Sequence, residues 1–493
     1  MQRASEDLRR CRQPEMRSHS ACKKSHPGIL TRMMGTKAPR VGRSAVAGLA
    51  VGILAIGSVA LQAWSAEPGP SGPVWDIPQE LTGSGFESEV WFNWGRSIAA
   101  DDAGYVHMVY LENISGSSPT SLGEGRIHYL RSTDEGATWP VHLSLTGPDA
   151  MIVGRPKVAA FDARVYVAFQ IVIDLATPPT YPPSQPHATI AMLISDDRGL
   201  SWRAPFSVSA NPVGSVAAAP PSVFARGPFV HVAWNDDRTQ GAQEVYVRSS
   251  RNHGNTWTGP MLVSNDDGKP SWTPGVALWG DHIYVAWTDE QNHEPPCTSG
   301  TTCKEELYFR RSLNFGVDWD PEQRLTEDPK TMEASTWAPS IDAWEDQASG
   351  EIFVHVAYFD QKTPTGDFGI YYRRSEDGGV SWSDEVLLSD YNDPDPPRIS
   401  YRPVIATFGG DQVHAVWAAG DGNEGSSGAS DVYYRRWEKQ GRTWGAIENL
   451  TAGTASAASQ PSIAVAPSQK VHVQWHDDLS GVNRIYYQRT LLP

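Results

Sequence analysis

Between residues 74 and 493, short runs of β-branched, aromatic and small apolar residues recur, each interrupted by a single His or Tyr. They are Val106-His-Met-Val-Tyr110, Val165-Tyr-Val-Ala-Phe169, Val230-His-Val-Ala-Trp234, Ile283-Tyr-Val-Ala-Trp287, Val354-His-Val-Ala-Tyr358, Val413-His-Ala-Val-Trp417 and Val471-His-Val-Gln-Trp475. Such density in five-residue runs predicts strands. A run rich in Tyr and Arg follows, as in Val432-Tyr-Tyr-Arg-Arg436 and Ile485-Tyr-Tyr-Gln-Arg489. Another strand precedes the core, often with a proline near its start: Pro156, Pro274, Pro339, Pro403 and Pro461. Each unit ends on a Trp followed seven residues later by Ser or Thr, itself preceded by Leu or Val. The copies run from Trp75, Trp139, Trp202, Trp257, Trp319, Trp382 and Trp444 to Thr82, Thr146, Ser209, Ser264, Thr326, Ser389 and Thr451.

Each unit therefore reads strand A, strand B, strand C, turn, strand D. Successive Trp are 55 to 64 residues apart, which suits a four-stranded propeller blade and is too long for a helical solenoid. The last unit has A, B and C but no D, and the first Trp copy has no strands before it. The two fragments complement each other. The expectation is an all-β, seven-bladed β-propeller, closed by the N-terminal strand completing the last blade. Closure removes open sheet edges that invite aggregation. The repeated His107, His231, His355, His414 and His472 occupy one strand position in separate blades, so they read as packing residues that cannot share one ion.

Composition changes the picture at the N-terminus. Residues 1–66 hold 11 basic and three acidic residues, then an apolar run from Ala45 to Leu61 preceded by Arg40 and Arg43. This reads as a basic leader with a secretory signal or membrane anchor, with cleavage after Ala63 or Ala66 and a start at Met33 or Met34 as options. Residues 67–73 form a linker, and 74–493 the propeller. Secretion or periplasmic export follows, with residues 45–61 as the only membrane contact. Of the totals of 41 basic and 57 acidic residues, 30 and 54 remain beyond the leader, a net charge of −24. That argues against nucleic acid and anionic membrane surfaces as partners. Cys297 and Cys303 bracket one short loop and read as a disulfide. With His293 alone beside them they fall short of a zinc set, and no metal site is assigned.

The turn between strands C and D reads Ser132-Thr-Asp-Glu-Gly-Ala-Thr-Trp139, Ser195-Asp-Asp-Arg-Gly-Leu-Ser-Trp202 and Ser375-Glu-Asp-Gly-Gly-Val-Ser-Trp382. Looser copies span 250–257, 312–319 and 437–444. Asp or Asn caps its own backbone, Gly takes a positive φ, and Trp packs the turn down. These turns resemble Asp boxes, the bacterial neuraminidase repeats of the sialidase-like β-propellers, and the resemblance covers about residues 74–493. It implies a propeller and places the boxes opposite the active site. It is less specific for activity, since such boxes also occur in sortilin-like receptors, xyloglucanases and a photosystem assembly factor.

Strand A starts on the other face, where the B–C connections lie. Those are long in blades 1, 2, 4 and 6 (111–125, 170–188, 288–304 and 418–430), and long loops on a rigid face are where binding usually resides. In blade order, strand A opens on Arg96, Arg155, Pro220, Thr273, Ala338, Arg402 and Gln460. Blades 6, 7, 1 and 2 adjoin in a closed ring. Arg402, Gln460, Arg96 and Arg155 are thus expected to converge beside the axis as ligand-binding residues for an acidic group. The alternative pairs each Arg with an acidic neighbour such as Asp101 or Asp162. The resemblance implies three Arg on a sialic acid carboxylate, one opening the first blade as Arg-Ile-Pro. Arg96-Ser97-Ile98 matches that place without the Pro, and sialidases have six blades. It also implies a Tyr nucleophile activated by Glu, for which Tyr401 with Glu333 is the nearest pair. Trp94, Trp272 and Trp337 precede strand A openings and suit sugar stacking.

Acidic residues recur after strand B: Glu112, Asp236, Asp289, Asp360 and Asp477. They suit loop capping, Ca²⁺ as the one cofactor they point to, or acid and base in glycoside hydrolysis, with Asp236 as candidate. Three functions remain open. One is an exported sialidase-like propeller that binds or hydrolyses glycans on the loop-rich face. Another is a non-catalytic propeller that binds a protein partner at the cell envelope. The last is a glycoside hydrolase of other specificity using two carboxylates.

Overall fold

The computed structural model describes residues 72–492, apart from 84–86, 90–95, 114–124, 148–152, 174–186, 211–219, 239–240, 293–304, 328–335, 347–348, 363–367, 390–398, 410–411, 421–429, 439–441, 455 and 480–481, and apart from the side chains of 87–89, 113, 153, 155, 172–173 and 187. Cys297, Cys303, Glu333, Trp94 and the 45–61 run lie outside the described residues. Within the compact unit Ser71–Pro493, seven antiparallel sheets form a seven-bladed β-propeller. Two blades split one strand. In blade 1, Glu87–Glu89 and Ile98–Ala100 both pair with Val106–Asn113. In blade 6, Thr443–Trp444 and Glu448–Asn449 both pair with Ser430–Glu438.

The ring closes as its ends require. Gln79 and Glu80 pair with Tyr487 and Tyr486, and Trp75 bridges Thr490. The terminal fragments complete one sheet because neither has another partner for its ladder groups.

Each repeated residue has a definite job. The Ser or Thr that ends each unit accepts the backbone N–H of strand C. Thr82 accepts from Ile485, Thr146 from Ile127, Ser209 from Ile190 and Ser264 from Val245. Thr326 accepts from Leu307, Ser389 from Ile370 and Thr451 from Val432, all at 2.8–3.1 Å. The Arg of strand C staples neighbouring blades through carbonyls. Arg310 Nε donates to Asp320 O of its own blade and Nη1 to Val263 O of the preceding one, at 2.7 and 2.8 Å; Arg435 does the same with Gly445 and Leu388.

The box Trp packs edge-on against an aromatic of the preceding blade. Trp139 on Tyr487, Trp202 on Tyr129, Trp382 on Phe309 and Trp444 on Tyr372 have ring centroids 4.9–5.0 Å apart. Four of the repeated His complete this unit. His107, His355, His414 and His472 bond the hydroxyls of Tyr129, Tyr372, Tyr434 and Tyr487 at 2.6–2.7 Å.

The turns fold as Asp boxes. Asp377 Oδ1 accepts from Ser375 Oγ and the Ser381 N–H at 2.7 and 2.9 Å, while Gly379 N–H reaches Ser375 Oγ at 2.7 Å. Gly379 has φ +87°. Burial pushes the Asp377 carboxyl up, but the hydrogen bonds from Ser375, Ser381 and Val380 together outweigh it and hold the group down at about 2. The loosest copy departs: Trp437 pairs directly with Trp444.

Strand A begins earlier than its pattern indicates. It starts at Ser271, Thr336, Ile399 and Ser459 in blades 4 to 7, then loses register between Trp272 and Gly275, Trp337 and Ser340, Tyr401 and Val404, and Ser459 and Ser462. Thr273, Ala338, Arg402 and Gln460 sit in these bulges with φ of +51° to +57°. Each is followed by a Pro, which a bulge tolerates because no ladder N–H is needed there.

Candidate functional site

The bulges put Arg402 and Gln460 in strained left-handed backbone, a feature often found where a side chain is re-aimed. Arg402 is 2% exposed and Gln460 8%. Arg402 lies close enough to His476 that its charge adds to burial, the larger effect, in holding that imidazole at about 3. The Arg155 side chain lies outside the described residues.

Arg96 takes another course. Its guanidinium pairs through Nη2 with Asp342 of blade 5 and donates to the Ile405 carbonyl of blade 6 at 3.1 Å. Blades 1 and 5 are not neighbours, so this arm crosses the axis. Asp342 Oδ2 also accepts the Thr407 N–H and hydroxyl at 2.8 and 2.9 Å. The acidic neighbours weighed as partners are engaged elsewhere. Asp101 accepts from Arg198 at 2.9 Å, and Asp162 lies by Arg164 and Arg198.

The carboxylates after strand B are loop caps in three blades. Asp236, Asp289 and Asp477 accept the indole N–H of Trp234, Trp287 and Trp475 two residues back. They also accept the backbone N–H of Arg238, Gln291 and Leu479 two residues on. Asp236 is fully buried and ion-paired with Arg238. Tyr401 is 7% exposed, and its expected partner Glu333 is not described. Among the described residues no group of three or more His, Cys, Asp or Glu gathers to hold a metal.

Among the described residues, two of the candidate aromatics keep part of their surface exposed on the loop-bearing side. Trp272 and Trp337 are half-buried, at the same register in adjacent blades. Trp272 Nε1 donates to Glu290 Oε1 at 3.2 Å. Beside them lies a carboxyl cluster that the sequence reading had only in part. Ser271 Oγ stands 2.8 Å from Asp289 Oδ2 and 3.3 Å from Glu244 Oε2, and Ser264 donates to Glu244 at 2.6 Å. Burial, chiefly, pushes Glu244 up to about 8 and Asp289 up to about 6, and raises Glu290. Asp289 belonged to the acidic ring, but Glu244 was overlooked. Its signal was periodic: Glu244, Glu306 and Asp431 stand at or next to the first residue of strand C, each taking a hydrogen bond from the repeated Ser or Thr.

No family model matches the chain, and no curated protein matches it in sequence. Solved structures do resemble it in chain path. The Hadza microbial sialidase Hz136 is 16% identical with a TM-score of 0.44; the match covers 67% of this chain and 63% of that one. A Dyadobacter fermentans protein of unknown function is 12% identical with a TM-score of 0.46, over 72% and 98%. The intramolecular trans-sialidase from Ruminococcus gnavus is 12% identical with a TM-score of 0.41, over 84% and 94%.

Proposed function

We propose that this is an exported Asp-box propeller that binds glycans on its loop-bearing face without hydrolysing them. The observation that carries the reading is the pair of partly exposed indoles, Trp272 and Trp337, in equal register on adjacent blades. Flat aromatic faces stack on the apolar C–H face of a sugar. Glu290, already held to Trp272, supplies a hydrogen-bonding group at the edge of that platform. Catalysis is the weaker branch because Asp236 and Tyr401 are buried at 0% and 7% exposure, out of reach of a glycosidic bond. The envelope-protein alternative calls for an exposed apolar face. Among the described residues, Leu200, Val317 and Val380 protrude from box tips, and Val74, Ile77, Leu491 and Leu492 from the closing edge, while Leu479 and Val482 stand on the last B–C connection.

The test is a glycan array on the purified protein, beside a fluorogenic glycoside panel. Trp272→Ala and Trp337→Ala should each weaken glycan binding about tenfold or more, the loss of a stacking contact of roughly 1–2 kcal/mol. No glycoside should turn over. Turnover on the panel, or an array with no hits, would sink the reading.

A further inference from the structure

The rim around Trp272 keeps a negative charge that the adjoining blades cancel for themselves. Blades 3, 4 and 5 carry Asp236, Asp289 and Asp360 after strand B. In blades 3 and 5 a cation stands two residues on. Arg238 pairs with Asp236, and Lys362 lies 2.9 Å from Asp360 and 3.0 Å from Glu385. In blade 4 that place is Gln291. Among the described residues, Asp289 is held by uncharged donors alone: the Trp287 indole, the Ser271 hydroxyl and the Gln291 N–H, each at 2.8 Å. Asp477 of blade 7 also lacks a cation, at Leu479, but that blade has Ser459 where blade 4 has the indole.

The described parts of the two connections that flank Trp272 are 265–271 and 288–292. They hold Asp266, Asp267, Asp289 and Glu290 against Lys269. Lys269 Nζ donates to the Gln291 carbonyl at 2.8 Å, and its charge reaches Glu290. Asp266 and Asp267 are exposed, and Asp267 is close enough to act on Asp289. One cation therefore answers four carboxylates. Arg324, on the outer strand of blade 4, is paired with Glu306. The strand-opening arginines belong to blades 1, 2 and 6, none of which adjoins blade 4.

Two features of this rim fit a cationic sugar. An indole face attracts a cation through its ring quadrupole, besides stacking on C–H groups. Glu290 Oε1 takes the Trp272 indole N–H at 3.2 Å, and no other hydrogen bond reaches this carboxylate among the described residues. A carboxylate has room for several donors, and its bonds to an ammonium are of the stronger, charge-assisted kind. The same charge repels a sugar acid.

We propose that the Trp272 rim selects an amino sugar with a free ammonium, of the glucosamine type, and turns away sialic acid and other sugar acids. The ammonium meets Glu290 beside the indole. It brings to blade 4 the positive charge that Arg238 and Lys362 bring to the blades on either side. Glu290 is the residue that sets the selectivity. The inference rests on the indole platform of the proposed function and adds its ligand class.

The experiment is calorimetric titration of the purified full chain, in neutral buffer of low ionic strength. The probes are a glucosamine tetramer from chitosan, its fully N-acetylated counterpart, lactose and sialyllactose. The glucosamine tetramer should bind about tenfold more tightly than the acetylated one, the gain of a charged hydrogen bond, and should weaken as salt is added. Sialyllactose should bind more weakly than lactose. Glu290→Gln keeps an acceptor for the Trp272 N–H and removes the charge. It should cost the glucosamine tetramer about tenfold and leave the acetylated one within about twofold. A glucosamine tetramer that binds no better than the acetylated one, or sialyllactose that binds better than lactose, overturns the proposal. The platform itself survives that result if Trp272→Ala still weakens the hits on the glycan array. An array without hits sinks the platform and the proposal together. Should Glu290→Gln not fold, changing the exposed Asp266 and Asp267 to Asn should narrow the same preference, and an unchanged preference overturns the proposal.

Discussion

Four histidines, His231, His414, His472 and His476, are buried without a carboxylate at hydrogen-bond distance, and burial holds each at about 3. Their folded values lie below the unfolded value near 6.5, so between about pH 6.5 and 3 the unfolded chain binds protons that the folded one refuses. Stability therefore falls as pH drops through that window, by at most about 1.4 kcal/mol per unit for each His. Glu244 works the other way. Its folded value of about 8 exceeds the unfolded 4.5, so its stabilising contribution is lost as pH rises from 4.5 to 8. Tm measured from pH 4 to 9 should peak near neutral pH, where the four His and Glu244 balance. Glu244→Gln, which keeps the shape and removes the charge, should flatten the alkaline limb and steepen the acid limb above about pH 4.5, leaving it unchanged below. An unchanged alkaline limb would show that Glu244 is not the group responsible. Nothing in the local sequence marks Glu244 as elevated, because the shift comes from burial at the junction of blades 3 and 4.

The elements were legible because each repeats a local solution seven times. The strand cores, the Trp and the terminal Ser or Thr were all visible as spacing, yet their purposes were not. The hydroxyl clamp on strand C is formed by residues 19 apart in sequence, as in Leu307 and Thr326. Thr326→Val should leave the Leu307 N–H without its acceptor and take one donor from the Glu306 carboxylate, which keeps Arg324, at a cost of about 1–3 kcal/mol; Thr326→Ser should recover most of it, and urea titrations would separate the two. Trp382 packs on Phe309 of the blade before it, so Trp382→Ala should cost about 3 kcal/mol. A loss below 1 kcal/mol would mean that the box Trp serves its own turn and not the joint between blades. The bulges escaped notice because a Pro after a left-handed residue looks, in sequence, like the start of a strand.

At the scale of the molecule, closure rests on very few residues. The N-terminal strand contributes the pairs of Gln79 and Glu80, the Trp75 bridge, the Thr82 clamp and the contact of Arg489 with Asp76. A chain beginning at Gly83 leaves the strand Arg484–Arg489 as an open edge. It should elute as aggregate or unfold well below the full chain, and a monomer of undiminished Tm would show that closure needs no N-terminal strand.

Repeat number, strand order and closure were determined by sequence alone, because each follows from local periodicity and from fragments that only one another can complete. The fate of the strand-opening arginines was decided by the ring. Arg96 and Arg402 look alike on paper, each opening strand A beside long loops. One reaches across the axis to Asp342, and the other is buried at a bulge close to His476. Which charge meets which depends on the distance across a closed seven-membered ring and on bulge geometry, and neither is encoded in the neighbours of a single residue.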